Sequence, residues 1–123
     1  MLEKSLSNPH PVVRMKGRLT ARGADVQVLS VRAPRAAKIS VRCRGKSCPA
    51  GRWSRSDRKS RLTRMERYER GLRAGVKITV SVTRRGYVGK RTTFVIRRGA
   101  PPLRSDRCLS SKGRVTRCPS GVS

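Results

Sequence analysis

Acidic side chains are scarce in this chain: six Asp and Glu stand against 32 Lys and Arg, for a formal charge of +26. Few of the cations can find a carboxylate, so most are solvated and the field outside the protein is strongly positive. Aromatics are nearly as rare, four in all: Trp53, Tyr68, Tyr87 and Phe94. The interior must therefore be aliphatic, and the several exposed rings on which single-stranded nucleic acids stack are lacking. Histidine occurs once, as His10 between two prolines, where an exposed loop residue is expected. With no second His and so few acids, Ser-His-Asp and Cys-His sets have no parts. Glu66 and Glu69 could be offered as an acid pair, but Arg64, Arg67, Arg70 and Arg73 surround them, and pairing at i,i+3 or i,i+4 is the better account. No enzyme and no cofactor is expected. Apolar runs are short: none approaches the roughly 18 residues of a membrane span. Met1–Ser5 leads into Ser7-Asn8-Pro9-His10-Pro11 without the apolar segment of a signal peptide.

What the chain does have is alternation. Val76, Ile78, Val80 and Val82 fall on one side of a strand, with Lys77, Thr79, Ser81 and Thr83 on the other. After Arg84-Arg85-Gly86, Thr92, Phe94 and Ile96 resume the pattern. The two runs, 76–84 and 90–98, predict an antiparallel pair with one dry face. Upstream, Val13, Met15, Gly17 and Leu19 share a face, and Ala37, Ile39, Val41 and Cys43 share another, with Lys38, Ser40, Arg42 and Arg44 outward. Between them, Val26 and Val28 hold one register and Leu29, Val31 and Ala33 the opposite one. A slip of one residue inside a strand predicts a β-bulge near Val28-Leu29. Residues 50–61 read as a basic loop or weak edge strand carrying Trp53, and Leu62 to Leu72, which fits both periods loosely, is read as strand. Six or seven short strands separated by Gly or Pro give an all-β fold, a small antiparallel β-sandwich. The expected layout is a leader at 1–10, a sandwich at 11–100 and an irregular Pro/Ser/Arg-rich tail at 101–123.

The four cysteines form two local pairs, Cys43 with Cys48 and Cys108 with Cys118. An even number, with a turn inside each interval, favours two short-loop disulfides among three possible connectivities. The competing reading is a four-thiolate zinc site. Such sites keep about two to four residues between the ligands of a pair, and the second interval is wider, so no metal is expected. Disulfides imply an oxidising compartment. The missing leader conflicts with that, and reading the chain as a piece of a longer exported protein resolves it.

The charge points to anionic partners: cell-wall polymer, acidic polysaccharide or nucleic acid. Arg84, Arg85, Lys90, Arg91, Arg97 and Arg98, on and around the central strand pair, are the expected anion-binding residues. Gly86-Tyr87-Val88-Gly89-Lys90-Arg91-Thr92 lacks the phosphate-loop spacing and leads into a strand, so it adds nothing. Arginine outnumbers lysine 24 to 8, a bias that GC-rich coding also produces.

Several stretches carry a resemblance. They include Asn8-Pro9-His10-Pro11-Val12-Val13-Arg14, Leu29-Ser30-Val31-Arg32-Ala33-Pro34 and Val41-Arg42-Cys43-Arg44-Gly45-Lys46-Ser47-Cys48-Pro49. Leu72-Arg73-Ala74-Gly75, Thr93-Phe94-Val95-Ile96-Arg97-Arg98-Gly99 and Asp106-Arg107-Cys108-Leu109 belong to the same set. Together, over about residues 8–118, they resemble Arg-rich immunoglobulin-like or fibronectin-like β-sandwich modules of secreted or surface proteins from high-GC bacteria. The resemblance implies an immunoglobulin-like sandwich and an accessory or spacer role, extracellular or at the cell surface. The expectation is thus a non-enzymatic adhesive or structural module. The alternative is a cytoplasmic protein that binds nucleic acid without regard to sequence, its affinity falling steeply with salt.

Overall fold

The computed structural model describes residues 4–5, 11–49, 51–56, 61–110 and 112–118. Its strands are β1 (Lys4–Ser5), β2 (Val12–Leu19), β3 (Gly23–Ala33), β4 (Lys38–Arg44), β5 (Trp53–Ser56) and β6 (Arg61–Arg64). After a single 3₁₀ turn at Glu66–Tyr68 come β7 (Gly71–Arg73), β8 (Lys77–Thr83), β9 (Tyr87–Val95), β10 (Leu103–Leu109) and β11 (Val115–Thr116). His10 and most of the leader lie outside the described residues, as do 57–60 and 119–123.

The strands form two sheets. The larger runs β11-β10-β9-β8-β4-β5, antiparallel throughout, with β1 added in parallel to the start of β9. The smaller runs β2-β3-β6, with β7 also pairing β3. Ile78, Val80 and Val82 of β8, and Phe94 with Ile96, are buried, as their alternation requires. They join Ile39 and Val41 of β4, and meet Val13, Val26, Leu29 and Val31 from the smaller sheet in one aliphatic core. The result is a small all-β sandwich. A tight turn closes the β8–β9 hairpin, with Gly86 at φ +81° and Tyr87 N–H donating to Arg84 O at 3.0 Å. Only glycine adopts that backbone conformation without cost.

The bulge lies one residue from its expected place. Lys16 pairs Val28 but Gly17 pairs Val26, so Gln27 of β3 is the extra residue. Ala24 and Val26 point inward before it, and Leu29, Val31 and Ala33 after it. At the bulge the strands crowd together: a Cβ on Gly17 would sit 2.1 Å from Asp25 O. Beyond it β2 leaves the core, and Leu19, expected on the buried face, is half exposed.

Two expectations need correction, and a third allows two alternatives. Leu62 to Leu72 is not one strand: β6 and β7 flank the 3₁₀ turn, burying Met65, Tyr68 and Leu72 and exposing Leu62. Of the loop and the weak edge strand expected around Trp53, the edge strand is found: Trp53 stands on β5 opposite Val41, packed against the core. The tail is not irregular throughout, because β10 pairs β9 from Leu103–Val95 to Leu109–Gly89. These additions raise the strand count above the expected six to seven. β10 shows no apolar alternation because polar partners occupy its inward positions. Arg104 lies over the Phe94 ring at 5.4 Å, and Asp106 Oδ1 accepts from the Thr92 hydroxyl at 2.6 Å.

Candidate functional site

The outward face of β5, β4, β8 and β9 holds a groove of about 590 Å³. Strand parity puts Lys38, Ser40, Arg42 and Arg44 of β4 on the same side as Lys77, Thr79 and Ser81 of β8. The register then aligns Arg91 with Ser81, and Ser54 with Ser40. Six cations line the groove: Lys38, Arg42, Arg44, Arg52, Lys77 and Arg91. Four hydroxyls lie among them, from Ser40, Ser54, Thr79 and Ser81, and none of the described lining residues is acidic. No ion pair among the described residues involves any of the six. Arg91 Nε donates to Ser81 Oγ at 3.3 Å, which leaves that hydroxyl's own proton to donate outward. A concave surface of one sign, with no carboxylate among its described lining residues, concentrates anions.

One of the residues expected to bind anions, Arg91, lies in the groove. The others are dispersed. Arg84 lies over the Tyr87 ring at 4.6 Å, and Arg85 is exposed in the same turn. Lys90 points to the inner side, its Nζ donating to Pro11 O at 3.3 Å and lying 3.8 Å from Asp106 Oδ1. Arg97 Nε donates to Pro101 O at 2.8 Å, and Arg98 is exposed past the end of β9. Lys38, Arg42, Arg44 and Lys77 are visible in the sequence as outward strand positions, whereas Arg52 precedes β5 and shows no such signal. What sequence alone did not supply is the strand order that sets β4 beside β8.

All four cysteines are joined as Cys43–Cys48 and Cys108–Cys118, with Cα separations of 5.6 and 4.9 Å. The first bridge anchors the end of β4 that carries Arg42 and Arg44. In the loop it closes, Ser47 Oγ accepts from the Arg73 amide at 2.8 Å. Among the described residues, no three His, Cys, Asp or Glu side chains gather as they would around a metal ion. No described helix is long and apolar enough to cross a membrane.

Of the four aromatics, Tyr68 and Phe94 are buried, Tyr87 lies under Arg84, and Trp53, partly buried against the core, also lines the groove. Comparison of the chain with protein families, curated proteins and solved structures finds no match.

Proposed function

We propose that this chain is a non-enzymatic, exported β-sandwich module of immunoglobulin-like kind that adheres to an anionic polymer through the groove on its larger sheet. The observation that carries the reading is the groove itself, six cations and four hydroxyls with no described carboxylate among them. The two disulfides suit an oxidising compartment. Two of the acids are also occupied by structure, Glu69 by Arg64 and Asp106 by Arg104 and Thr92, which leaves neither poised for proton transfer.

The test compares charge removed from the groove with charge removed elsewhere. Arg42→Gln/Arg44→Gln/Lys77→Gln is set against Arg14→Gln/Lys16→Gln/Arg32→Gln on the smaller sheet, with binding to a linear acidic polysaccharide followed across a salt series. The groove variant is expected to lose most of its affinity, and its log–log salt slope should shrink by about one for each cation that engaged the polymer, as counterion release requires. The control should bind nearly as the parent does. Equal losses in both variants would reduce the effect to net charge and defeat the reading. Retention of duplex DNA at physiological salt, in preference to the polysaccharide, would establish the nucleic-acid alternative instead.

A further inference from the structure

The hydroxyls and cations of the larger sheet are not mixed at random. Ser54, Ser40 and Ser81 stand in one cross-strand row of β5, β4 and β8. Thr79, Thr93 and Ser105 stand in the next row, on β8, β9 and β10. The two rows join at β8 into one lane of hydroxyls that crosses five strands, four spacings of about 4.8 Å or about 19 Å in all. Cations border it on both sides. At β4, Lys38 and Arg42 lie on opposite sides of Ser40, four residues and so about 14 Å apart along the strand. Further on, Arg91 and Arg107 pair across β9 and β10 on one side of the lane; on the other side Arg44 and Lys77 stand on β4 and β8, and their row continues as Val95 and Leu103 on β9 and β10.

Resting on the reading above that the groove binds an anionic polymer, we infer that its occupant is a single linear polysaccharide bearing carboxylates on both edges, laid across the strands along this lane. A neutral, hydroxylated midline meets the Ser and Thr side chains, which donate to and accept from sugar hydroxyls. Pendant carboxylates reach the flanking Arg and Lys, and Arg binds them through two parallel N–H donors. A phosphodiester or polyphosphate chain reverses this arrangement. Its charge runs along the midline, against neutral hydroxyls, and its edges have little to offer the two ranks of cations. Duplex DNA carries its charge on two separate backbones and has no run of free hydroxyls to present to the lane.

The test removes hydroxyls while leaving every charge in place. Ser40→Ala/Thr79→Val keeps the β-branch at position 79, and Ser54→Ala on the exposed edge strand probes the same lane without touching a half-buried site. Binding is measured by calorimetry against oligomers of a linear polyuronate and against inorganic polyphosphate of matched charge. The parent is expected to prefer the polyuronate. Each hydroxyl removed should weaken polyuronate binding by about fivefold and leave polyphosphate binding unchanged. Equal affinity for the two polymers, or hydroxyl variants that bind polyuronate as the parent does, would overturn the inference while leaving adhesion to polyanions intact. Failure of the adhesion reading looks different: the triple charge variant would then bind both polymers as the parent does. Should Ser40→Ala/Thr79→Val fail to fold, Ser54→Ala alone decides, by the presence or absence of its selective loss.

Discussion

The Glu69 carboxylate accepts a hydrogen bond from the Leu29 amide at 2.9 Å, across forty residues of sequence. The bond closes a gap that the bulge opens in the smaller sheet. β3 pairs β7 up to Asp25 and β6 from Ser30 onward, so residues 26–29 face the 3₁₀ segment instead of a strand. Four backbone groups of that stretch are met individually. Val26 N–H donates to Arg70 O at 2.9 Å, and Leu29 O accepts from Met65 N–H at 2.8 Å. Gln27 O accepts from Arg64 Nη2 at 3.1 Å, and the same guanidinium clasps Glu69 at 2.8 and 3.0 Å. Buried backbone groups must be paired, and here an Arg–Glu clasp replaces a missing strand.

Removing the carboxylate should therefore cost more than a surface ion pair. Glu69→Ala strands a buried amide and is expected to destabilise the fold by about 1–3 kcal/mol. Glu69→Gln, which can still accept from Leu29, should cost less. Urea unfolding of the two variants checks this. Parent-like midpoints for both would mean that the clasp is ornamental.

A second carboxylate governs acid stability. Burial acts to raise the Asp106 pKa, but hydrogen bonds from Arg104 and Thr92, with Lys90 close by, outweigh it and hold the group below its ordinary value. A depressed folded-state pKa means that the unfolded chain binds the proton more tightly. The stabilisation is complete above the unfolded value of about 3.9 and fades as pH falls through the folded value. Asp106→Asn should lower stability at neutral pH and flatten the decline on the acid side of pH ~4. Thermal melts on both proteins across that range decide it, and an undiminished acid slope in the variant would assign the loss to another group.

The contrast between β8 and β10 explains how much was legible in the sequence. Val80 and Val82 announce a strand because the dry face demands an apolar side chain at every second position. Arg104 and Asp106 hold the same inward phase on β10, but a hydroxyl, a ring and a lysine on β9 meet them, so no hydropathy period records the strand. The 3₁₀ turn was illegible for a related reason. Its position depends on Glu69 reaching Leu29, an interaction that no local window contains. The bulge could be read because it inverts a pattern, and the cysteine pairs because their loops are short. The groove needed the neighbour order of β5, β4, β8 and β9, which alternation within single strands cannot provide.

The two disulfides should be separable by what their loss does. Cys108–Cys118 closes a loop of sequence separation 10 and Cys43–Cys48 one of 5. On chain entropy the bridges are worth about 3 and about 2 kcal/mol. Cys108 is buried on β10, and its bridge holds the two-residue β11 against that strand. Cys108→Ala/Cys118→Ala should therefore melt lower and release the C-terminal residues to limited proteolysis, with polysaccharide binding unchanged. Cys43→Ala/Cys48→Ala should lose less stability but weaken polysaccharide binding, because Arg42 and Arg44 lie on the strand end which that bridge fixes. Urea midpoints, protease mapping and binding isotherms on the two variants test the division. A groove that binds normally without Cys43–Cys48 would show that β4 keeps Arg42 and Arg44 in place through its pairing with β8 alone.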